Sequence, residues 1–115
     1  MIGKEIMALD EQLAQRIRNL LAGQPGWVEK RMFGGIGFLV QGNMACGVNQ
    51  DQLIVRVGPQ DYDQALSKSE VGVFDLTGKP MRGWITVAPA GIATEEQLSA
   101  WINSGVAFAK SLPPK

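Results

Sequence analysis

Histidine is missing from this chain, and cysteine occurs once, as Cys46. The first absence removes the side chain most often used as a general base near neutral pH, which is also the commonest metal ligand. The two together exclude a Ser-His-Asp or Cys-His arrangement and any ordinary zinc site. A lone cysteine excludes an internal disulfide, which fits a reducing compartment. Charge of one sign is also lacking, since eleven basic side chains face eleven acidic ones. A protein that holds duplex nucleic acid draws most of its non-specific affinity from a basic face, so neutrality supplies no global pull toward phosphate. No apolar run approaches the roughly 20 residues a membrane span needs. Residues Met1 to Met7 lack the apolar stretch of a secretory signal. The expected location is the cytoplasm, with no membrane partner and no cofactor.

What is present is ordinary for a globular domain. The 115 residues and 45% apolar content fit a single domain over residues 1–115, with its core between about 10 and 112. A chain of this size buries roughly 65% of the surface its unfolded form exposes, enough for one core without staples.

The patterning alternates between two periods. Asp10 is placed to cap a helix in which Leu13, Ile17, Leu20 and Leu21 recur at helical spacing, with Leu9 extending the row backward. Gly23 and Pro25 are expected to end it, as a left-handed cap followed by a breaker. From Trp27 the period is two. Ile36, Phe38 and Val40 alternate with Gly35, Gly37 and Leu39, and Met44, Cys46 and Val48 follow a predicted Gly42-Asn43 turn of type II′. After a second turn at Asn49-Gln50-Asp51, Leu53, Val55 and Val57 alternate with Gln52, Ile54 and Arg56. The result is an antiparallel meander. Pro59 opens a short predicted helix over 60–67, with Tyr62, Ala65 and Leu66 inward. Val71 and Val73 restart an extended segment, the Thr77-Gly78-Lys79-Pro80 turn follows, and a strand carries Met81, Gly83, Ile85 and Val87. Thr94 and Gln97 form a capping box for a last helix lined by Leu98, Trp101, Ile102, Gly105, Phe108, Ala109 and Leu112. The expected fold class is α+β, an antiparallel sheet with helices packed mainly on one face. The expected order is helix, three or four strands, helix, two strands, helix.

One set of residues adds a resemblance. Lys30-Arg31-Met32-Phe33-Gly34-Gly35-Ile36-Gly37-Phe38, then Gly42-Asn43-Met44 and Leu53-Ile54-Val55-Arg56-Val57, resembles the N-terminal domain of the TfoX/Sxy family. The Gly78-Lys79-Pro80-Met81 turn, the strand into Val87 and the capped helix with Leu98 and Trp101 resemble it too. The resemblance implies one antiparallel sheet in an α-β-α-β-α order. Full-length family members regulate natural competence genes and carry a second, C-terminal domain. This chain resembles the stand-alone, single-domain members. The resemblance supplies no catalytic residues.

The Gly34-Gly35-Ile36-Gly37 stretch opens no helix and has no Lys-Ser or Lys-Thr pair, so a bulge, strong twist or close approach explains it better than a phosphate loop. Cys46 shares the parity of apolar neighbours and reads as core. Trp84 and Trp101 read as core or interface packing rather than a cofactor box, and Trp27, at the loop-to-strand junction, fits either. Asp61, Asp63, Glu95 and Glu96 fall in first turns of helices, where the dipole accounts for them. The remaining set is Lys30, Arg31, Arg56, Arg82 and Trp84, a candidate patch for a partner or an anion. Parity places Arg56 and Arg82 on the sheet side away from the apolar row, with Arg82 beside Trp84. The expected function is therefore a non-enzymatic, regulatory protein-interaction domain, whose partner is a protein, a second copy of the chain included. The alternative is a direct nucleic-acid-binding regulator that uses an arginine-bearing sheet face. No catalytic or metal residue is assigned.

Overall fold

The computed structural model describes residues 10–32, 34–75 and 78–115. Leu9 of the first helical row, Phe33 of the glycine motif and Thr77 of the later turn lie outside the described residues. Helix α1 (Glu11–Leu21) starts where Asp10 accepts the Leu13 N–H at 3.0 Å, and it buries Leu13, Ala14, Ile17 and Leu21. Its end departs from expectation. Ala22 stays right-handed, and the Gln24 N–H closes on the Leu21 carbonyl at 2.8 Å. Such short-range bonds satisfy the last carbonyls without a left-handed cap. The left-handed residue is Gly26, at φ 77, which turns the chain into the sheet.

Strands β1 (Trp27–Met32), β2 (Gly35–Val40), β3 (Asn43–Asn49) and β4 (Gln52–Arg56) form the expected meander. Helix α2 (Tyr62–Leu66), β5 (Val71–Val73), β6 (Trp84–Val87) and α3 (Glu95–Ser111) follow. The single six-stranded sheet runs β1-β2-β3-β4-β6-β5, antiparallel throughout. The fold is α+β. Helix α2 is shorter than expected, because Pro59 to Asp61 form a turn ahead of it. The last strand is shorter too. A turn closed by the Trp84 N–H on the Met81 carbonyl (3.0 Å) occupies 81–84, so the strand begins at Trp84.

Two local features reset the expected register. The β2–β3 loop is Gln41-Gly42, with φ of 55 and 84, one residue earlier than Gly42-Asn43. Two positive φ values make it a type I′ turn. Asn43 is thereby released into β3. Its buried side chain donates from Nδ2 to the carbonyls of Ala109 (3.4 Å) and Pro113 (3.0 Å). The second feature is a bulge. Phe38 pairs with Cys46 and Leu39 with Met44, leaving Ala45 as the extra residue. An extra residue flips the strand's parity. Met44 therefore does not share a face with Cys46 and Val48, as simple alternation had it, and is only half-buried.

The register sorts the remaining side chains. Ile36, Phe38, Cys46, Val48, Leu53, Val55, Ile85 and Val87 are cross-strand partners on one face, and all are buried in the core with residues of α1 and α3. Ile54 belongs to the other face, is buried and lies outside that core, as does Phe74, whose ring sits 6.0 Å from that of Trp84. The second face is thus partly closed.

Helix α3 is fixed at its start by both bonds of the Thr94–Gln97 capping box (3.1 and 2.9 Å). Its middle lies on the sheet at Gly105, where a Cβ would overlap the carbonyl oxygen of bulged Ala45. Alanine in place of a mid-helix glycine ordinarily stabilises by about 0.5–1 kcal/mol. Here the obstructing atoms are backbone. Gly105→Ala is expected to destabilise instead, by about 1–3 kcal/mol, measured by urea denaturation.

Arg18 ties α1 to β1. Its Nε and Nη2 donate to Glu29 Oε1 and Oε2, both at 2.8 Å, and Nη1 reaches Glu11 at 3.3 Å. The guanidinium hydrogen bonds hold the Glu29 carboxyl below its ordinary range, and Glu29 raises the Arg18 value in turn. Glu29 titrates near 4.3 when unfolded. The pair's contribution is therefore complete above about pH 5 and is lost as pH falls through the lower folded value. Both side chains are partly exposed, so the pair contributes about 1 kcal/mol or less. Stability curves of the wild type and Glu29→Gln are expected to differ at pH 7 and converge near pH 3.

Candidate binding site

Helix α3 shows the sheet one stripe and leaves a flank beside α2 and the β4–α2 connection. Along this flank run three adjoining cavities of about 520, 130 and 360 Å³. The first two share Val57, Asp61 and Ser104, and the second and third share Lys68, Trp101 and Ser104. Together they make a groove that follows α3 from Gln97 to Ser111. Trp101 and Phe108 supply its aromatic area, while Asp61, Gln64, Lys68 and Glu70 supply polar edges.

Arg56 lies at the Phe108 end. As the last residue of β4 it pairs with Trp84, and its guanidinium carbon sits 5.0 Å from the Trp84 ring centroid and 5.3 Å from that of Phe108. Partial burial pushes its pKa down, the direction expected when desolvation is not offset by a carboxylate. Among the described residues no carboxylate pairs with it, whereas Arg16, Arg18 and Arg82 all have one. An arginine held against two rings loses little freedom when its donors engage a planar acceptor.

The structure separates the other candidates from this pair. Arg82 lies in the turn before β6, where strand parity does not apply. Its side chain sits over the Tyr62 ring at 5.0 Å and pairs with Asp63 at 3.3 Å. It is therefore a partner of α2, not a neighbour of Trp84 on a sheet face. Lys30 and Arg31 are exposed on β1, three strands from β4 and so roughly 14 Å away across the sheet. Of the five candidates, only Arg56 and Trp84 come together.

Phe108 is the member that sequence reasoning assigned to packing alone. Its place on the helical stripe was visible, but its meeting with Arg56 depends on how α3 crosses the sheet. Trp101 is partly buried and doubles as groove wall. Trp27 packs on the core, its ring 6.2 Å from that of Phe38. Among the acidic residues, Asp63 and Glu95 occupy first turns and pair with Arg82 and Arg16.

The glycine motif has a packing role. A Cβ on Gly35 would overlap the Val48 carbonyl oxygen, and one on Gly37 would press into the Met32 thioether at 2.6 Å. The motif leads into β2 rather than a helix, so it forms no phosphate cradle. No group of three His, Cys, Asp or Glu that could hold a metal occurs among the described residues. Among them, too, no helix is long and apolar enough to cross a membrane.

Residues 19–109 match the model of the TfoX N-terminal domain, and the chain belongs to that family. No curated protein and no solved structure matches the chain.

Cys46 sits in the core with no exposed surface, and burial pushes its thiol up to about 12. Thiol reagents are expected to label it only through unfolding. Its labelling rate at pH 8 should rise with urea in parallel with the unfolded fraction.

Proposed function

We propose that this domain is a non-enzymatic regulatory module that binds a protein segment in the α3 groove, anchoring a carboxylate of that segment on Arg56. The observation that carries the reading is the state of Arg56, held between Trp84 and Phe108 with no acidic partner among the described residues. Five guanidinium donors in a fixed plane match a carboxylate two at a time. The adjoining groove offers apolar area with a polar rim, the usual anatomy of a peptide-binding surface. The membership in the TfoX family accords with a regulatory role, as an analogy of fold.

The alternative of direct nucleic-acid binding draws less support. A stacking platform needs a free ring, and Trp84 is engaged by Arg56 and Phe74. The other candidate cations are dispersed, and net charge is zero.

The test is affinity capture from the source cell's extract, with nuclease treatment, using the wild type and Arg56→Gln. A stoichiometric protein retained by the wild type and weakened by about 2 kcal/mol, roughly thirty-fold, in the variant is the expected result. Equal retention by both would remove Arg56 from the site. Material lost on nuclease treatment, with affinity falling steeply as salt rises, would put the nucleic-acid reading first.

A further inference from the structure

We infer that β1 is a self-pairing edge, through which two copies of this chain join antiparallel about a two-fold axis at Lys30. The inference rests on β1 alone and stands apart from the groove. Strand β1 lies at one end of the sheet and, among the described residues, pairs only with β2. Its hydrogen-bond phase is fixed by the Gln41 N–H donating to the Gly26 carbonyl at 3.1 Å, which is continuous with the β1–β2 register. Even-numbered residues of β1 therefore bond to β2, and the main-chain groups of Trp27, Glu29 and Arg31 point outward. An unpaired strand edge of this kind is a template for another strand.

The side chains select one register. A two-fold at Lys30 sets Glu29 opposite Arg31 of the second copy, in hydrogen-bonded pairs formed twice over. Glu29 lies on the α1 side of the sheet, opposite Phe38, and Arg31 follows it on that face. Arg31 has no hydrogen bond or ion pair among the described residues, although its charge already helps lower the Glu29 pKa. In the dimer each Glu29 lies between Arg18 of its own chain and Arg31 of the other. On the opposite face Val28 meets Met32 of the second copy. Val28 is 49% exposed, one of two large exposed hydrophobics among the described residues. Moving the axis by one residue sets Glu29 against Glu29 or Arg31 against Arg31, both like-charge pairs. The favoured register opposes one like pair, Lys30 against Lys30, whose long side chains can splay into solvent.

Lys30 meets its counterpart in a non-hydrogen-bonded pair, where opposed Cβ atoms are closest. Lys30→Cys should therefore form an intermolecular disulfide on mild oxidation. Cys46 is buried and does not compete. Val28→Cys, facing Met32 of the second copy, should not. Sedimentation of the wild type over rising micromolar concentrations should show a monomer–dimer equilibrium. Arg31→Glu, which places two carboxylates opposite each other, should weaken that equilibrium at least about ten-fold. A strict monomer over the whole range, a dimer indifferent to Arg31→Glu, or cross-linking of Val28→Cys as fast as Lys30→Cys would each overturn the inference. Far-UV circular dichroism of each variant, expected to match the wild type, checks that the fold is kept.

Discussion

The close approach of α3 to β3 governs this structure. At Gly105 the helix backbone rests against the carbonyl of Ala45, with no room for a single methyl group between them. Two irregularities of β3 serve that contact. The bulge supplies Ala45, and the early type I′ turn frees Asn43 to hold the C-terminal end of the helix by two carbonyls. With the helix fixed at both points and capped at Thr94, Leu98, Ile102 and Ala109 pack into the core, as α1 does from its own side. Phe108 is carried to the place where it meets Arg56. The core and the candidate site thus depend on one backbone-to-backbone approach, with side-chain packing following from it.

The order and type of the elements could be read from sequence because they rest on local signals. The helical row of α1, the alternation of β2 and β4 and the capping box of α3 each declare themselves within a few residues. What sequence reasoning missed depended on counting across irregularities. A turn one residue early and a bulge at Ala45 both shift parity, and alternation alone carries no sign of either. Arg82 was misplaced for the same reason, because a turn stands where a longer strand was expected. The patch of five residues was half legible. The pairing of Arg56 with Trp84 needed only the correct partner strand, whereas Phe108 needed the crossing of α3. Lys30 and Arg31 were grouped with Arg56 as one patch, but their distance from it follows from strand order.

The charges divide by task. Arg16, Arg18 and Arg82 fasten one element to another through exposed ion pairs with Glu95, Glu29 and Asp63. Each is exposed and contributes little to stability, so these pairs trim the placement of the helices that core packing sets. Among the described residues Arg31 and Arg56 have no such carboxylate, and Arg56 is held by ring faces instead. That difference, more than any overall charge, distinguishes an available cation from a structural one in a neutral chain.

The meander precedes α3 in the chain, and this sets a hazard during synthesis. Strands β1 to β4 are joined by short connections and can pair soon after they leave the ribosome. Their inner face carries Ile36, Phe38, Val48, Leu53 and Val55, all buried once the domain is complete. Until α3 emerges, α1 and the short α2, with Tyr62 and Ala65, are the helices available to shield that surface. A nascent chain stalled before Gly105 would present a hydrophobic sheet to chaperones and to its neighbours on the same message.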